Sequence, residues 1–565
     1  MSDYLTGLQR AISELTADGA PFATREVTID GAPYREYASA PPNMGAYFRC
    51  MLKHGDKDFA VYRDERYTFA EAYAGSAALA CGLIADFGIG KGDRVAILSR
   101  NNPQWMMAFI ASLSIGAIAV PMNAWWTTEE LDYGLRDCGA RVVIADRERI
   151  ERLVPLQGEL GLKLIAIDDC AGIAAVTTPF AAVTAAHRGS QMPEPEVHAD
   201  DHATIMYTSG STGHPKGALS SHRGILSALY SWMLLGLATK KAGPDKESSG
   251  FPPAGLLTIP LFHCTGSHSA FLLSLIVGRK LVIMHKWDVQ EALRLIEAER
   301  ITWFTGVPTM SAELQAAAVD SDRDLSSLAE IFAGGAARPP AQVEKLATTF
   351  KRSSSGIGYG LTETNALGTI NSGDIYRAKP GSAGPAVPAV TELAILDENG
   401  EHLPAGERGE VCIHSPANCL GYWNKPEATA EAFRDGWFHT GDVGYLDEDG
   451  FLFIVDRMKE IIIRGGENVS CIEVEAAIYH HPAVAEAAVY GVPDERLGEA
   501  VAASLVLREG ETLDADGLRE FLRGHLAGFK LPAHVRFHDE ALPRIATGKI
   551  FKRQLKAELS EQLGG

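Results

Sequence analysis

The sequence has little of what marks secreted, nucleic-acid-binding or membrane-spanning proteins. Its eight cysteines form no Cys-x-x-Cys pair and are scattered over 565 residues, which favours reduced thiols in a cytoplasmic protein over a disulfide framework. A formal net charge of −20 disfavours nucleic acid and acidic membranes as partners. An anionic substrate must therefore be attracted by local groups.

Long apolar runs are also missing. Charged residues interrupt the first 18 positions, so no signal peptide is expected. The uncharged stretch 101–128 is divided by Gly116 and Pro121 into a helix-length piece and a strand-length piece. A spanning helix needs about 20 continuous apolar residues. We therefore expect no transmembrane segment.

The length and the 46% hydrophobic content predict two or more domains with sizeable cores. Residues 1–40 are polar and predicted to be an irregular arm. From residue 47, short apolar runs such as Val142–Ala145 and Ile331–Ala333 alternate with helical patterns, which predicts two wound α/β sheets. Beyond residue 385, alternating segments separated by turn residues predict an antiparallel β subdomain. The last stretch predicts a small α+β domain.

The segment Thr208–Gly217 reads Thr-Ser-Gly-Ser-Thr-Gly-His-Pro-Lys-Gly and follows the apolar run 205–207. Glycines let the backbone approach a ligand closely, hydroxyl groups donate hydrogen bonds, and Lys216 adds a positive charge. This combination suits an oligophosphate. The lysine lies between a proline and a glycine, so the loop is not a Walker A sequence. The alternative is a solvated linker.

Six further segments carry candidate chemistry, and each also has a purely structural explanation. His263 follows an apolar strand and is either a structural histidine or a pocket residue. Gly334–Ala337 is a small-residue turn that can lie against a ring. Tyr359 lies between two glycines, where its ring can stack on a base, and Glu363 offers a hard oxygen ligand for Mg²⁺. The dense charge cluster from Asp456 to Glu460 indicates a domain junction or a solvated linker, and the segments around Asp442 and Lys549 are weak in isolation.

Taken together and in this order, these motifs resemble the adenylate-forming superfamily. The matching segments are Tyr-Thr-Ser-Gly-Ser-Thr-Gly-His-Pro-Lys-Gly, Tyr-Gly-Leu-Thr-Glu, Thr-Gly-Asp, Asp-Arg-Met-Lys-Glu and Thr-Gly-Lys. The segment Ile-Ile-Ile-Arg-Gly-Gly-Glu-Asn-Val is most similar to fatty and medium-chain acyl-CoA synthetases. The resemblance implies an N-terminal adenylation domain, residues 1–458, and a mobile C-terminal domain, residues 459–565.

The implied enzyme is an AMP-forming acid–thiol ligase that uses ATP, Mg²⁺ and coenzyme A. A carboxylic acid, expected to be fatty, is activated as acyl-AMP with release of pyrophosphate, and the acyl group then passes to CoA. Its partners would be the small acid and CoA. An aryl-CoA ligase and a carrier-protein acyl ligase are alternatives, as is a non-catalytic nucleotide-binding protein. Chain length, pathway and homodimer formation are left open.

The resemblance also implies residue roles. The catalytic residues would be Lys549, Glu363, Thr208 and the hinge residue Lys459. Thr208 and Glu363 would hold the metal ion. The nucleotide and CoA would contact Thr208, Ser209, Gly210, Ser211, Thr212, Gly213, Lys216, Gly335, Ala336, Ala337, Tyr359, Gly360, Thr362, Asp442, Arg457, Gly465, Gly466 and Lys549. The acyl group would contact Phe262, His263, Trp303, Val307 and Gly334.

Two positions depart from the family pattern. The hinge residue is often aspartate, and lysine at position 459 is a variant that leaves the role intact. Position 463 is lysine in the luciferases and isoleucine here, which argues against luciferase-type oxidation.

Overall fold

The structure is a computed structural model that describes residues 2–29, 31–170, 172, 176–208, 214–243, 250–465, 467–546 and 548–564. Within these residues the chain forms four β-sheets and an N-terminal hairpin. The helices are α1 (Ser2–Thr16), α2 (Met44–Phe48), α3 (Phe69–Ala85), α4 (Pro103–Ser114), α5 (Thr128–Cys138), α6 (Arg147–Leu160), α7 (Phe180–Ala186), α8 (His222–Ala242), α9 (Leu273–Val277), α10 (Val289–Ala298), α11 (Pro308–Val319), α12 (Pro340–Thr349), α13 (Gly373–Ala378), α14 (Pro426–Ala432), α15 (Cys471–Ile478), α16 (Ala515–Arg523) and α17 (Lys552–Gly564).

The first large sheet has the strand order β20-β11-β10-β6-β5-β7-β8-β9. Its strands are β5 (Arg94–Leu98), β6 (Ile118–Pro121), β7 (Val142–Ala145), β8 (Lys163–Ala166), β9 (Thr177–Pro179), β10 (His202–Thr208), β11 (Lys216–Ser221) and β20 (Gly421–Tyr422). The strands from β10 to β9 pair in parallel, whereas β11 and β20 add an antiparallel edge. The prediction of a wound sheet is confirmed.

The second large sheet has the order β17-β16-β15-β14-β12-β13-β3-β4. Its strands are β3 (Asp58–Tyr62), β4 (Glu65–Thr68), β12 (Ala254–Leu257), β13 (Lys280–Ile283), β14 (Trp303–Gly306), β15 (Glu330–Gly334), β16 (Ser354–Gly360) and β17 (Gly368–Ser372). Its central strands are parallel, and both edge strands are antiparallel. Carboxyl ends of parallel strands share one edge, where α/β proteins bind ligands.

Helix α4 explains the uncharged stretch. Asn102 caps its first turn by accepting a hydrogen bond from the Trp105 backbone N–H, and Pro103 occupies its first position. Trp105 and Phe109 are fully buried and pack against Phe271, in a core that contains side chains from both large sheets. The helix is apolar all round because it is buried. In the described part of the chain, no helix has the length and apolar character needed to cross a membrane.

The third sheet is antiparallel and consists of β18 (Glu392–Leu396), β19 (Gly409–His414), β21 (Phe433–Arg434), β22 (Trp437–Leu446) and β23 (Leu452–Arg457). The fourth consists of β24 (Ile462–Arg464), β25 (Glu467–Val469), β26 (Val484–Asp494), β27 (Gly498–Leu507) and β28 (His534–His538). Its only parallel pair among the described strands is β27 with β28. The chain leaves the third sheet at Arg457 and enters the fourth at Ile462. The predicted fold class is confirmed.

The irregular N-terminal arm predicted from the sequence is wrong. Residues 2–16 form α1, which packs on α8, and the hairpin of β1 (Thr24–Ile29) and β2 (Ala32–Tyr37) follows. Leu5, Leu8, Ile12 and Leu15 recur at helical spacing, so one face of α1 is apolar in spite of its polar composition. The buried Tyr37 hydroxyl donates to the Pro388 carbonyl oxygen at 3.1 Å.

Candidate active site

The predicted phosphate loop joins two antiparallel strands. Thr208 ends β10 and Lys216 begins β11, and the two residues pair directly across the hairpin. The Thr208 hydroxyl donates to the Lys216 carbonyl oxygen at 3.4 Å. The intervening candidates Ser209, Gly210, Ser211, Thr212 and Gly213 lie outside the described residues. The two ends of the loop are therefore fixed by sheet pairing.

Glu363 lies in a helical turn, Thr362–Thr364, directly after β16. Its side chain is buried and accepts a hydrogen bond from the Tyr422 hydroxyl at 2.8 Å. The Lys216 ammonium group lies over the Tyr422 ring, 4.9 Å from its centroid. Burial raises the pKa of Glu363, while hydrogen bonds and the charges of Arg457 and Lys216 oppose that rise. A nearby cation would stabilise the ionised form of this buried carboxylate.

Tyr359, Asp442 and Arg457 form a connected group. The Tyr359 hydroxyl donates to Asp442 Oδ2 at 2.7 Å, and Arg457 Nε lies 3.0 Å from Asp442 Oδ1. Asp442 and Arg457 are register partners in β22 and β23, and Tyr359 lies near the end of β16. Burial, together with the neighbouring Asp442, raises the pKa of Tyr359 well above its usual value, so its hydroxyl stays a donor. Gly360 and Thr362 follow directly on the chain.

The backbone before Asp442 has its own support. The Gly441 N–H donates to Glu410 Oε1 at 3.0 Å, and Glu410 Oε2 lies 2.8 Å from His439 Nδ1. Cys412 Sγ lies 3.4 Å from that nitrogen, and the ligand atoms of Glu410, Cys412 and His439 all lie within 4.8 Å of one another. Three such groups can ligate a metal, but Arg434 Nη2 lies 2.8 Å from the same nitrogen. The guanidinium already supplies a positive charge there, so we interpret the group as backbone support.

Lys549 belongs to the C-terminal part of the chain, and its side chain lies near the Tyr359, Asp442 and Arg457 group. A Cβ built on Gly335, whose φ is +78°, would lie 3.1 Å from Lys549 Cε and 3.7 Å from Nζ. Burial lowers the pKa of Lys549, the positive charge of Arg457 lowers it further, and Asp442 opposes both. Gly335 is followed by Ala336 and Ala337, which are exposed. The lysine thus lies against the turn that follows β15.

With one exception, the acyl candidates follow or end the parallel strands β12, β14 and β15 at the edge of the second sheet that the Lys549 hairpin meets. Gly548 lies against Val307, since a Cβ built on it would lie 3.2 Å from Val307 Cγ2. Lys549 lies close enough to His263 for its positive charge to disfavour protonation of the imidazole. The Phe262 and His263 rings have centroids 4.8 Å apart. Burial, with Lys549, lowers the pKa of His263 to about 3, and its buried Nε2 has no protein hydrogen-bond partner among the described residues. A neutral imidazole suits an apolar lining. Gly334 ends the neighbouring strand β15.

Trp303 is the exception and is a correction to the predicted acyl site. It begins β14, whereas Val307 follows the other end of that strand. Its ring lies under the Arg279 guanidinium, 4.5 Å away, and next to Gly255. Four strand residues span roughly 10 Å. The strand direction therefore places Trp303 away from the ligand-binding edge, in the packed core.

The hinge and CoA candidates lie at and beyond the change of sheet. Lys459 is exposed between β23 and β24. Gly465 turns the chain from β24 into β25 with φ +60°, and its N–H donates to the Leu497 carbonyl oxygen at 2.7 Å. This contact is within the C-terminal part of the chain. Gly466 lies outside the described residues.

Two supporting residues were missed in the sequence. Tyr422 orients Glu363, and Glu410 holds the turn before Asp442. Tyr422 belongs to a two-residue strand in a Gly-Tyr-Trp segment, and Glu410 lies in an ordinary alternating strand. The aromatic pair after Gly421 was an available but weak signal. Neither position showed its partner from sequence spacing alone.

Comparison with known proteins identifies the group to which this geometry belongs. The family model described as "AMP-binding enzyme" matches residues 48–423, and "AMP-binding enzyme C-terminal domain" matches residues 473–549. The chain belongs to the AMP-binding enzyme family. It is 37% identical over 492 residues to a feruloyl-CoA synthase of Amycolatopsis sp., covering 86% of this chain and 93% of the relative. It is 33% identical over 543 residues to a long-chain-fatty-acid–CoA ligase of Bacillus subtilis, covering 90% and 92%.

Solved structures of this family agree. An anthranilate CoA ligase in complex with anthranoyl-AMP matches with a TM-score of 0.82 and 26% identity, covering 93% of this chain and 98% of that one. The o-succinylbenzoate CoA synthetase of Bacillus subtilis with ATP and magnesium matches with a TM-score of 0.75 and 30% identity, covering 91% and 99%. The chain is an AMP-forming acyl-CoA ligase, with ATP and CoA as substrates and Mg²⁺ as the metal typical of the family.

Proposed function

We propose that this ligase activates an apolar carboxylic acid at the edge where Lys549, Gly335 and Val307 meet. The observation that carries the proposal is the position of the Lys549 side chain against Gly335, with the adjoining Gly548 against Val307. A substrate carboxylate placed beside the Lys549 ammonium group would lie between the proposed nucleotide position and the proposed acyl position. This position suits attack of the carboxylate on the α-phosphorus of ATP.

We assign the contacts with the adenine, the ribose and the phosphates to the residues that the site brings together. Tyr359, with Gly335–Ala337, would flank the adenine, and the Asp442 carboxylate would accept hydrogen bonds from the ribose hydroxyls with Arg457 beside it. Lys216 and the described ends of the hairpin loop would face the phosphates. Asp442 is 3% exposed and already fixed by Tyr359 and Arg457, so it needs little ordering on binding. Gly360 and Thr362 connect the adenine and metal positions.

The residues present fit a magnesium ion. Glu363 is a buried carboxylate with a raised pKa, next to the hydroxyl of Tyr422, and carboxylate and hydroxyl oxygens are hard ligands. Glu363 and Thr208 would hold the ion. Bound Mg²⁺ neutralises phosphate charge. The protein's own part is to place the Lys549 charge where negative charge accumulates and to exclude water around it.

The acid is proposed to be a fatty acid. Phe262 and Val307 are 4% and 6% exposed, His263 is held neutral, and Gly334 offers no side chain, so these four lining positions present no charge to the acyl group. A second candidate is an aryl acid of the hydroxycinnamate kind, because the feruloyl-CoA synthase is 37% identical over 86% of this chain. A flat ring would lie against the backbone at Gly334, which carries no side chain.

A panel of acids separates these candidates. The purified enzyme is incubated with ATP, Mg²⁺ and CoA, and thioester, AMP and pyrophosphate are measured for aliphatic acids of increasing length, benzoates and hydroxycinnamates. The proposal predicts thioester formation with apolar acids and none with short hydroxy or amino acids. Replacing CoA by a phosphopantetheinyl carrier protein tests the remaining acceptor. Nucleotide binding without pyrophosphate release from any acid would contradict the proposal.

We place the domain boundary at 458/459, with Lys459 as the hinge, because the chain changes sheets between Arg457 and Ile462. Gly465 and Gly466 would then reach the CoA path only after the small domain turns. The eight free thiols support a cytoplasmic location. A homodimer is left open.

Lys459→Pro tests the hinge. Proline fixes φ near −65° and restricts the preceding residue, so a turn at this position is stiffened. We expect thioester formation to fall about tenfold or more while pyrophosphate release with acid and ATP changes little. Lys459→Ala is the control, since it removes the side chain without restricting the backbone. Full thioester formation by the proline variant would contradict the hinge.

A further inference from the structure

Arg544 lies five residues before Lys549 in a short hairpin. An isolated β-bridge joins Arg544 to Ile550, and the Ile545 N–H donates to the Lys549 carbonyl oxygen at 2.9 Å. Across the hairpin, Arg544 Nη1 donates to the Gly548 carbonyl oxygen at 2.8 Å. This carbonyl belongs to the peptide bond that leads into Lys549. The guanidinium therefore holds the backbone on which the lysine is carried.

The other side of the same guanidinium is anchored within the C-terminal sheet. Arg544 Nη2 lies 2.7 Å from Glu486 Oε1 on β26, and the two side chains are only 23% and 16% exposed. The second oxygen of Glu486 accepts from the Leu542 N–H at 3.0 Å. Glu486 thus fixes the strand leading to the hairpin and the arginine that braces it. Partly buried ion pairs whose atoms make further hydrogen bonds, as both members do here, hold geometry better than exposed ion pairs do.

Arg544 also reaches across the change of sheet. Its Nη1 lies 3.4 Å from the Thr309 hydroxyl, in the first turn of α11. Gly548 lies against Val307 at the start of that helix, and Lys549 lies against Gly335. The hairpin therefore makes three contacts with the N-terminal part of the chain. Together these contacts hold Lys549 at the proposed acid site. Of the three hairpin residues, Arg544 is the one whose side chain also bonds to a strand of the C-terminal sheet, at Glu486.

We infer that Arg544 is a positioning residue for the acid-activating half-reaction, acting by bracing the Lys549 hairpin and docking it on Thr309. This inference rests on the proposed role of Lys549. Arg544 contacts no reacting group itself. Its effect should therefore be confined to the step in which the hairpin is docked, and the transfer of an acyl group from supplied acyl-AMP to CoA should not need it.

The test compares the two half-reactions in Arg544→Ala. Pyrophosphate release with acid and ATP in the absence of CoA should fall about 10- to 100-fold, and thioester formation from supplied acyl-AMP should stay within about twofold. Arg544→Lys, which keeps the charge but not the fork of donors, should recover only part of the loss. The matched control is Arg519→Ala: Arg519 pairs with Asp516 at 2.8 Å and donates to two backbone carbonyls within the C-terminal domain, and it is 27% exposed.

Thr309→Val keeps the test decisive if Arg544→Ala does not fold. Valine preserves shape and removes the hydroxyl on the other side of the contact. The variant should slow pyrophosphate release several-fold without slowing transfer from acyl-AMP. Equal losses in both half-reactions, or a Thr309→Val enzyme with normal pyrophosphate release, would overturn the inference. If Lys549→Ala itself forms acyl-AMP normally, the proposed function of Lys549 fails. If only the Arg544 and Thr309 variants are normal, the inference alone fails.

Discussion

Lys549→Ala should reduce acyl-AMP formation by about 10²–10³-fold, the effect of removing one preorganised charge from a transition state. The acid and the triphosphate repel each other. The Lys549 ammonium group lies against Gly335, proposed to face the nucleotide, and the adjoining Gly548 lies against Val307, proposed to face the acyl group. Its lowered pKa shows that burial and Arg457 already disfavour its charge without ligand, so two anions brought beside it are strongly attracted. Single-turnover pyrophosphate release measures the loss.

The second half-reaction provides the internal control. Thioester formation from supplied acyl-AMP and CoA should be far less affected, because that step breaks the bond between the acyl carbon and the AMP oxygen and forms no bond at phosphorus. Lys556→Ala is the matched surface control: this lysine pairs with Glu499 at 3.2 Å and is 45% exposed. It should leave both steps unchanged. If Lys549→Ala slowed both half-reactions equally, the assignment of this lysine to the first step would be refuted.

Glu363→Gln should lower the rate of pyrophosphate release about 10²-fold and raise the Mg²⁺ concentration needed for half-maximal rate. Glutamine keeps the size and a hydrogen bond to Tyr422 but removes the negative charge. Excess Mg²⁺ should recover part of the rate. Because burial raises the pKa of Glu363, Mg²⁺ binding by the unsubstituted enzyme should weaken as the pH falls through that raised pKa. Titration of the rate with Mg²⁺ at several pH values checks both statements.

Glu431→Gln is the control for the metal assignment. Glu431 is exposed but close enough to act electrostatically on Tyr422. Removing its charge should change neither the maximal rate nor the Mg²⁺ dependence. An unchanged Mg²⁺ requirement in Glu363→Gln would exclude this residue as the metal ligand, even with a lowered rate.

The strands of the first and third sheets were predictable because their apolar runs are short and bounded by turn residues. Val142–Ala145 coincides with β7, and Glu392–Leu396 coincides with β18. Helix α1 was not predicted, because its apolar residues are few and only their spacing, not their number, indicates a helix. The position of Trp303 depends on strand direction, because the first residue of a parallel strand lies at the sheet edge opposite to the one that the last residue reaches.

Some residues of the candidate site could likewise be predicted from the sequence, and others could not. Glu363 could be picked out by chemistry as a hard oxygen ligand beside Tyr359, whereas Asp442 is weak in isolation and gains its predicted role only from the order of the motifs. Tyr422 and Glu410 could not be predicted, because their roles are hydrogen bonds to residues 59 and 31 positions away. Such contacts depend on how sheets meet, and local patterns carry no information about that.

The most direct measurement follows oxygen from the acid to the nucleotide. An accepted acid labelled with ¹⁸O in its carboxylate is converted with ATP and CoA, and the AMP is analysed by mass spectrometry. Attack of the carboxylate on the α-phosphorus forms a new phosphorus–oxygen bond and breaks the bond to pyrophosphate; the thiol then breaks the bond between the acyl carbon and that oxygen. The account predicts one ¹⁸O in each AMP. Unlabelled AMP, or formation of ADP and phosphate, would contradict it.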